Sequence, residues 1–204
     1  MSDWNSLQEW SRTAAGLELS DGVVGQLRRY VDALRVWNRK MALVARADLS
    51  TILDKHLADS LFAAAHCPAE ATVADLGSGA GFPGLVIAIV RPAARVTLIE
   101  ARGKKVSFLE EACRVAGIRN AEPIHARIED AARTPPHPRR YDFVTSRALA
   151  DLDALRTLAK PLAAPGARLV AMRSAAGDVP AGAERIDYLL PDGTPRALVT
   201  SRLD

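Results

Sequence analysis

The chain has 204 residues, 49% apolar and 25% charged, which excludes a disordered chain and allows one good core with a small appendage. No apolar run reaches membrane-spanning length, and Met1-Ser2-Asp3-Trp4-Asn5 lacks the basic and apolar regions of a signal peptide. A net charge of +3 permits a nucleic-acid partner without requiring one. Cys67 and Cys113 lie far apart, and His56, His66, His125 and His137 show no metal-ligand spacing. These features predict a cytoplasmic protein with no metal site and no disulfide.

Three helices are predicted first: Leu7 to Gly16, Ser20 to Lys40, and Ser50 to His66. In the second, Val23, Val24, Leu27, Val31, Leu34 and Trp37 recur at helical spacing. In the third, Ile52, Leu53, Leu57, Leu61 and Phe62 share a face, with Ser50 as the expected N-cap. The stretch around Pro68 reads as a joint, so residues 1–70 form a helical extension and 71–204 the main unit. From there strands and helices alternate. Val73 to Leu76 and Arg95 to Glu100 read as strands, Leu85 to Val90 and Lys104 to Gly117 as helices, and Ala121 to His125 as a short strand. After a loop rich in proline from Arg133 to Arg140 come a strand at Tyr141 to Ser146, a helix at Asp151 to Leu162 and a strand at Gly166 to Met172. Two extended runs, Ala183 to Leu190 and Arg196 to Arg202, flank the turn Pro191-Asp192-Gly193. The alternation predicts a mostly parallel α/β sheet, Rossmann-like, with an antiparallel hairpin at one edge.

The densest signal is Val73-Ala74-Asp75-Leu76-Gly77-Ser78-Gly79-Ala80-Gly81-Phe82-Pro83-Gly84. A short strand ends in an acid and a glycine-rich turn, and a helix follows. That is a ligand cradle at a helix N-terminus. Gly79-x-Gly81-x-x-Gly84 fits the dinucleotide fingerprint, though that match is weak alone. Asp75-x-Gly77-x-Gly79-x-Gly81 fits the pattern of S-adenosylmethionine-dependent methyltransferases. Asp75 favours the second parse, since a carboxylate there suits an ammonium group and repels a pyrophosphate. Glu100 falls about 20 residues on, where an acid meets ribose hydroxyls in a βαβ nucleotide site. Both cofactors carry a ribose, so Glu100 supports the site without choosing the ligand.

The Phe82-Pro83-Gly84 extension makes this loop resemble that of the glucose-inhibited division protein B family, bacterial guanine-N7 methyltransferases of small-subunit ribosomal RNA. Trp37-Asn38-Arg39-Lys40 and Lys55-His56-Leu57-Ala58-Asp59-Ser60-Leu61 resemble the family's upstream motifs. Gly103 to Leu109, Arg127-Ile128-Glu129-Asp130, Ser146-Arg147-Ala148 and the run from Tyr188 to Val199 resemble its later ones. The resemblance implies a class I methyltransferase fold, S-adenosylmethionine as cofactor, and small-subunit ribosomal RNA or its particle as substrate. It puts Gly77 and Phe82 in the cofactor loop, Ile128 and Glu129 beside the adenine, and Arg147 near cofactor and target base. Asn38, Arg39, Lys40, His56 and Arg173 are then expected on the substrate side. The chain departs from the family pattern at Ala42-Leu43-Val44, at Lys55 and at Met172-Arg173-Ser174. Without the resemblance, Arg147 is a strand-end arginine, Glu129 a solvated acid, and His56 with Asp59 a helix-surface pair.

Basic residues fall in three groups: Arg28, Arg35 and Arg39 with Lys40 and Arg46; Arg102, Lys104 and Lys105; and Arg133, Arg139 and Arg140. If they converge on the cofactor mouth, they form a footprint for RNA phosphates; otherwise they are solvated surface. Other readings are a methyltransferase for a small molecule or protein, a nicotinamide-dependent oxidoreductase, and a non-catalytic cofactor-binding protein. A monomer is expected, since no apolar helix face is left over.

Overall fold

The alternating apolar runs become the strands of one sheet. In the computed structural model these are β1 (Thr72–Leu76), β2 (Arg95–Glu100), β3 (Ala121–His125), β4 (Tyr141–Ser146), β5 (Ala163–Ser174), β6 (Ala183–Leu189) and β7 (Pro195–Arg202). The structure describes residues 3–137, 139–147, 151–176 and 179–203; Met1, Ser2 and Ala148 lie outside them. The strand order is β3-β2-β1-β4-β5-β7-β6. Strands β1 to β5 run parallel, and β7 enters antiparallel between β5 and the edge strand β6. The expected sheet and terminal hairpin are both present. The order reverses at β1 and β4, and in open α/β sheets ligands bind outside the carboxyl ends of the strands at such a switch point.

The helices are α1 (Trp4–Ala14), α2 (Asp21–Asn38), α3 (Ala58–Ala65), α4 (Gly84–Val90), α5 (Gly103–Ala116), α6 (Ile128–Ala131) and α7 (Leu152–Ala159). Asp3 and Ser20 cap α1 and α2 by accepting from Ser6 N and Val23 N. Gly117 ends α5 with φ 69°, the left-handed conformation glycine adopts without steric penalty. One core cluster joins Leu7, Leu27, Leu34 and Leu61 of the N-terminal helices to Val73, Leu98, Phe143 and Leu198 of the sheet. The other face packs Leu152 and Leu155 of α7 on Val144, Leu169 and Val199. Residues before 71 therefore share a core with the sheet.

The third predicted helix is broken. A 3₁₀ turn spans Arg46–Leu49, a π-helical turn spans Leu53–Leu57, and only then does α3 begin. Ser50 caps nothing; its hydroxyl donates to the carbonyl of Ala47 at 3.2 Å. Leu53, Asp54, His56 and Leu57 are all buried and Lys55 is partly exposed, so this turn is covered over more of its surface than a one-stripe amphipathic helix. The π turn carries His56, and such turns concentrate at functional sites. Helix α6 lay in a segment read only for its motif, and β5 begins three residues earlier than expected, at Ala163.

Candidate active site

The glycine loop leaves β1 at its carboxyl end and is fixed from below. Asp75 is fully buried, and its Oδ2 accepts from the backbone N–H of Gly84 at 3.2 Å. Its Oδ1 has no partner among the described residues. Burial lifts the Asp75 carboxyl from 3.8 to about 7, against the hydrogen bonds from Ser78 and Gly84. Gly77, Gly79 and Gly81 take φ values of 70°, 55° and 91°. A side chain on Gly84 would collide with Leu98 and with Asp75 Oδ2, so this glycine allows α4 to close on β1 and β2. At the end of β2, Glu100 accepts from Gly79 N at 2.9 Å through Oε2 and from Arg102 N at 2.8 Å through Oε1. Asp75 thus holds the loop's far end and Glu100 its middle.

Helix α2 holds the loop from above. Tyr30, fully buried, donates its hydroxyl to the carbonyl of Ala80 at 2.6 Å and packs its ring on Phe82 at 5.4 Å. At the end of α2, Asn38 Oδ1 accepts from Leu43 N at 2.8 Å and Val44 N at 2.9 Å, and its Nδ2 donates to Val44 O. Asn38 is buried in this turn, so its polar atoms organise backbone. The turn places Leu43 and Val44 against a cavity of about 300 Å³ whose floor is the loop from Gly77 to Ala80.

Phe82, His56, Lys105 and Arg147 complete that cavity. The His56 imidazole stacks on Phe82, with ring centroids 5.3 Å apart and planes 20° from parallel, and the Arg147 guanidinium lies over the same ring at 5.4 Å. Arg147 Nη2 contacts His56 Nδ1 directly. Guanidinium only donates, so Nδ1 is the acceptor and the imidazole proton sits on Nε2, which faces Asp48 Oδ2 at 3.6 Å. Burial first, and then the Arg147 charge, push His56 down from 6.5 to about 4, so it is neutral at neutral pH.

Behind Arg147 lies a charge cluster. Asp59, 1% exposed, is 3.7 Å from Arg147 Nε. It accepts from Arg196 Nη2 at 2.8 Å and Nε at 3.0 Å, and from the Tyr188 hydroxyl at 2.5 Å. Tyr188 stacks on Phe62 of α3 at 3.7 Å. The C-terminal hairpin thus grips α3 through one acid and shares that acid with the cavity arginine.

The structure brings Gly77, Gly79, Phe82, His56 and Arg147 together around the cavity, with Gly81 in the same loop. Asp75 and Glu100 lie beneath the loop and contact its backbone. Ile128 and Glu129 begin α6, just beyond the carboxyl end of β3, outside the cavity lining. Arg39 and Lys40 are exposed at the end of α2, and Arg173 is half-buried on β5 opposite Ala197 of β7. Sequence reasoning missed Tyr30, Lys105 and Arg196 as site residues. Lys105, one of the three cations that follow β2, lines the cavity beside Gly79. Arg196 carried a signal only as part of the closing-hairpin motif.

Residues 24–188 match the family described as rRNA small subunit methyltransferase G, GidB. The chain is 41% identical over 160 residues to Ribosomal RNA small subunit methyltransferase G of Chloroflexus aggregans, covering 78% of this chain and 67% of that one. It is 39% identical over 168 residues to the protein of the same name from Roseiflexus sp., covering 82% and 70%. Among solved structures, cofactor-bound Rv0187 from MTB superposes with a TM-score of 0.61 at 19% identity, covering 88% of this chain and 90% of that one. A Corynebacterium glutamicum protein superposes with a TM-score of 0.57 at 19% identity, covering 86% and 90%. These two share the fold.

Proposed function

This chain belongs to the rRNA small subunit methyltransferase G (GidB) family, and from that membership we propose that it transfers a methyl group from S-adenosylmethionine to guanine N7 of small-subunit ribosomal RNA. The observation that carries the proposal is the cavity over the glycine loop, where His56, Phe82 and Arg147 meet Gly77 and Gly79. The residues present fit the cofactor. Gly77 leaves open space where a Cβ would stand, Leu43, Val44 and Phe82 give apolar walls, and Lys105 and Arg147 give two cations suited to its carboxylate. Glu100 at the end of β2 is the acid for ribose hydroxyls, and Ile128 and Glu129 on α6 suit an adenine. Asp75, already committed to Gly84 N, shapes the loop from beneath.

When bound, S-adenosylmethionine would supply a sulfonium methyl open to in-line attack by a lone pair, with the carbon–sulfur bond breaking as the carbon–nitrogen bond forms and the neutral thioether leaving. Guanine N7 has its lone pair without deprotonation, so the site has to position rather than abstract a proton. The geometry agrees: His56 Nδ1 is taken by Arg147, and its Nε2 carries the proton. Arg147, fixed between His56, Phe82 and Asp59, orients the base. The methylated ring is cationic, and the Asp59 carboxylate offsets the nearby guanidinium charge. Arg39, Lys40 and Arg173 lie on the substrate side. The substrate puts the reaction in the cytoplasm. A monomer suffices, since Val36 and Leu189 are the exposed large apolar side chains among the described residues.

Among the described residues, no helix is long and apolar enough to cross a membrane, and no group of His, Cys, Asp and Glu is placed to hold a metal ion. Isothermal titration with S-adenosylmethionine and with NAD, followed by methyl transfer to unmodified small-subunit RNA and particles, tests the proposal. Label at guanine N7 is the expected result. Tighter binding of NAD, or binding of S-adenosylmethionine without transfer to RNA, would overturn it.

A further inference from the structure

A second cavity, about 620 Å³, lies at the opposite end of β7 from Arg196. Arg156, Arg168 and Arg202 line it, against one acid, Glu184. Arg168 and Arg202 are directly opposite each other across the antiparallel β5–β7 pair. Like charges in that position destabilise a sheet. Among the described residues neither guanidinium has a carboxylate within 4.0 Å, and Arg168 reaches only the Thr200 hydroxyl, at 3.5 Å. Arg156 has a loose, exposed partner, Asp153, at 3.9 Å. Two facing cations that no carboxylate approaches within 4.0 Å among the described residues, with Arg156 beside them, form a cationic hollow with room for an anion.

We propose that this cavity binds a backbone phosphate of the RNA substrate, as a docking point separate from the methyl-transfer site. The inference rests on the RNA reading above. Strand β7 sets the spacing: Arg196, which holds Asp59 behind Arg147, and Arg202 are six residues apart on one strand. At ~3.4 Å per residue that is roughly 20 Å. That distance separates the docking point from the methyl-transfer cavity. Guanidinium pairs match phosphate oxygens in a fork geometry, and phosphate contacts set register without reading sequence.

The test compares the full chain with Arg168→Gln/Arg202→Gln in binding unmodified small-subunit RNA across a salt series. S-adenosylmethionine titration and urea unfolding serve as controls. Each phosphate contact contributes ~0.7 to 0.9 to the slope of log affinity against log salt. The double variant frees one phosphate, so it is expected to lose about 0.7 to 0.9 from that slope and to bind RNA more weakly at low salt. Its cofactor affinity should be unchanged and its unfolding midpoint equal or higher. An unchanged slope in a variant of a parent that binds and methylates RNA would overturn the docking site alone. A parent that binds no RNA would overturn the functional reading and the docking site with it. Binding of inorganic phosphate that the variant loses, with the RNA slope unchanged, would assign the cavity to a free phosphate and also overturn the proposal.

Discussion

Tyr30 and Ala80 are joined by a 2.6 Å hydrogen bond from a fully buried hydroxyl to a loop carbonyl, 50 residues away in sequence. It is the point at which the N-terminal helices touch the glycine loop by a polar contact. Tyr30→Phe keeps the ring packing on Phe82 and leaves the Ala80 carbonyl without its donor. An expected loss of about 1 kcal/mol in stability follows. A looser loop should also weaken S-adenosylmethionine binding several-fold, read by titration. Equal affinity in the variant would mean that the other contacts fix the loop alone.

Asp75 and His56 titrate against each other. Asp75 is raised from 3.8 to about 7, so its contribution is complete below pH 3.8 and is lost as pH rises toward 7. His56 is lowered from 6.5 to about 4, so its contribution is complete above pH 6.5 and is lost as pH falls toward 4. The two differences correspond to roughly 4 and 3 kcal/mol. Between pH 4 and 6.5 they oppose each other. Relative to the parent, Asp75→Asn should gain stability as pH rises through that window and His56→Gln should lose it. Urea unfolding at several pH values reads both slopes, and parallel curves for all three proteins would contradict the assignment.

Asp59→Asn leaves Arg196 and Arg147 facing each other with their shared counter-charge gone, at a site where the acid is 1% exposed. Removing one partner of such a buried cluster costs about 3 kcal/mol or more. Urea denaturation should show that loss. Methyl transfer should fall further than folded fraction alone explains, because Arg147 loses its anchor. Arg196→Lys, which keeps the charge without the forked geometry, should retain part of both.

Gly84→Ala tests the closure of α4 on the sheet. The added methyl meets Leu98 and Asp75 Oδ2, neither of which can swing clear, since both are fully buried. Overpacking of this kind costs about 1 to 3 kcal/mol. The melting temperature should drop accordingly, while Gly77→Ala, which meets open space, is limited to the cost of its φ of 70°.

Most of the sheet was legible because its strands are short apolar runs ending at acids or turn residues, as Arg95 to Glu100 and Tyr141 to Ser146 show. The loop was legible because glycine at alternate positions has few uses besides close backbone approach. The break before α3 was not, since Ile52, Leu53, Leu57 and Leu61 satisfy helical spacing whether or not a π turn interrupts them. Nor could sequence tell that Asn38 Oδ1 accepts from Leu43 N and Val44 N, or that Lys105 leans over Gly79 while Lys104 is exposed. Those distinctions depend on which helix face meets the sheet. The pairing of Asp59 with Arg196 spans 137 residues, beyond any local pattern.

Strand β7 lies inside β6 in the sheet, yet follows it, and every other element described, in the chain. During synthesis α3 emerges with Asp59 long before Arg196 exists to neutralise it. At ~5 to 20 residues per second, the 137 residues between them take roughly 7 to 27 s. Late in that interval β5 emerges, and its outer edge stays open until β7 follows. Arg147 thus meets His56, Phe82 and Asp59 first, and β7 later completes the charge cluster behind it while covering β5, so that a nascent chain interrupted before β7 holds the cofactor loop and its arginine but leaves Asp59 without Arg196.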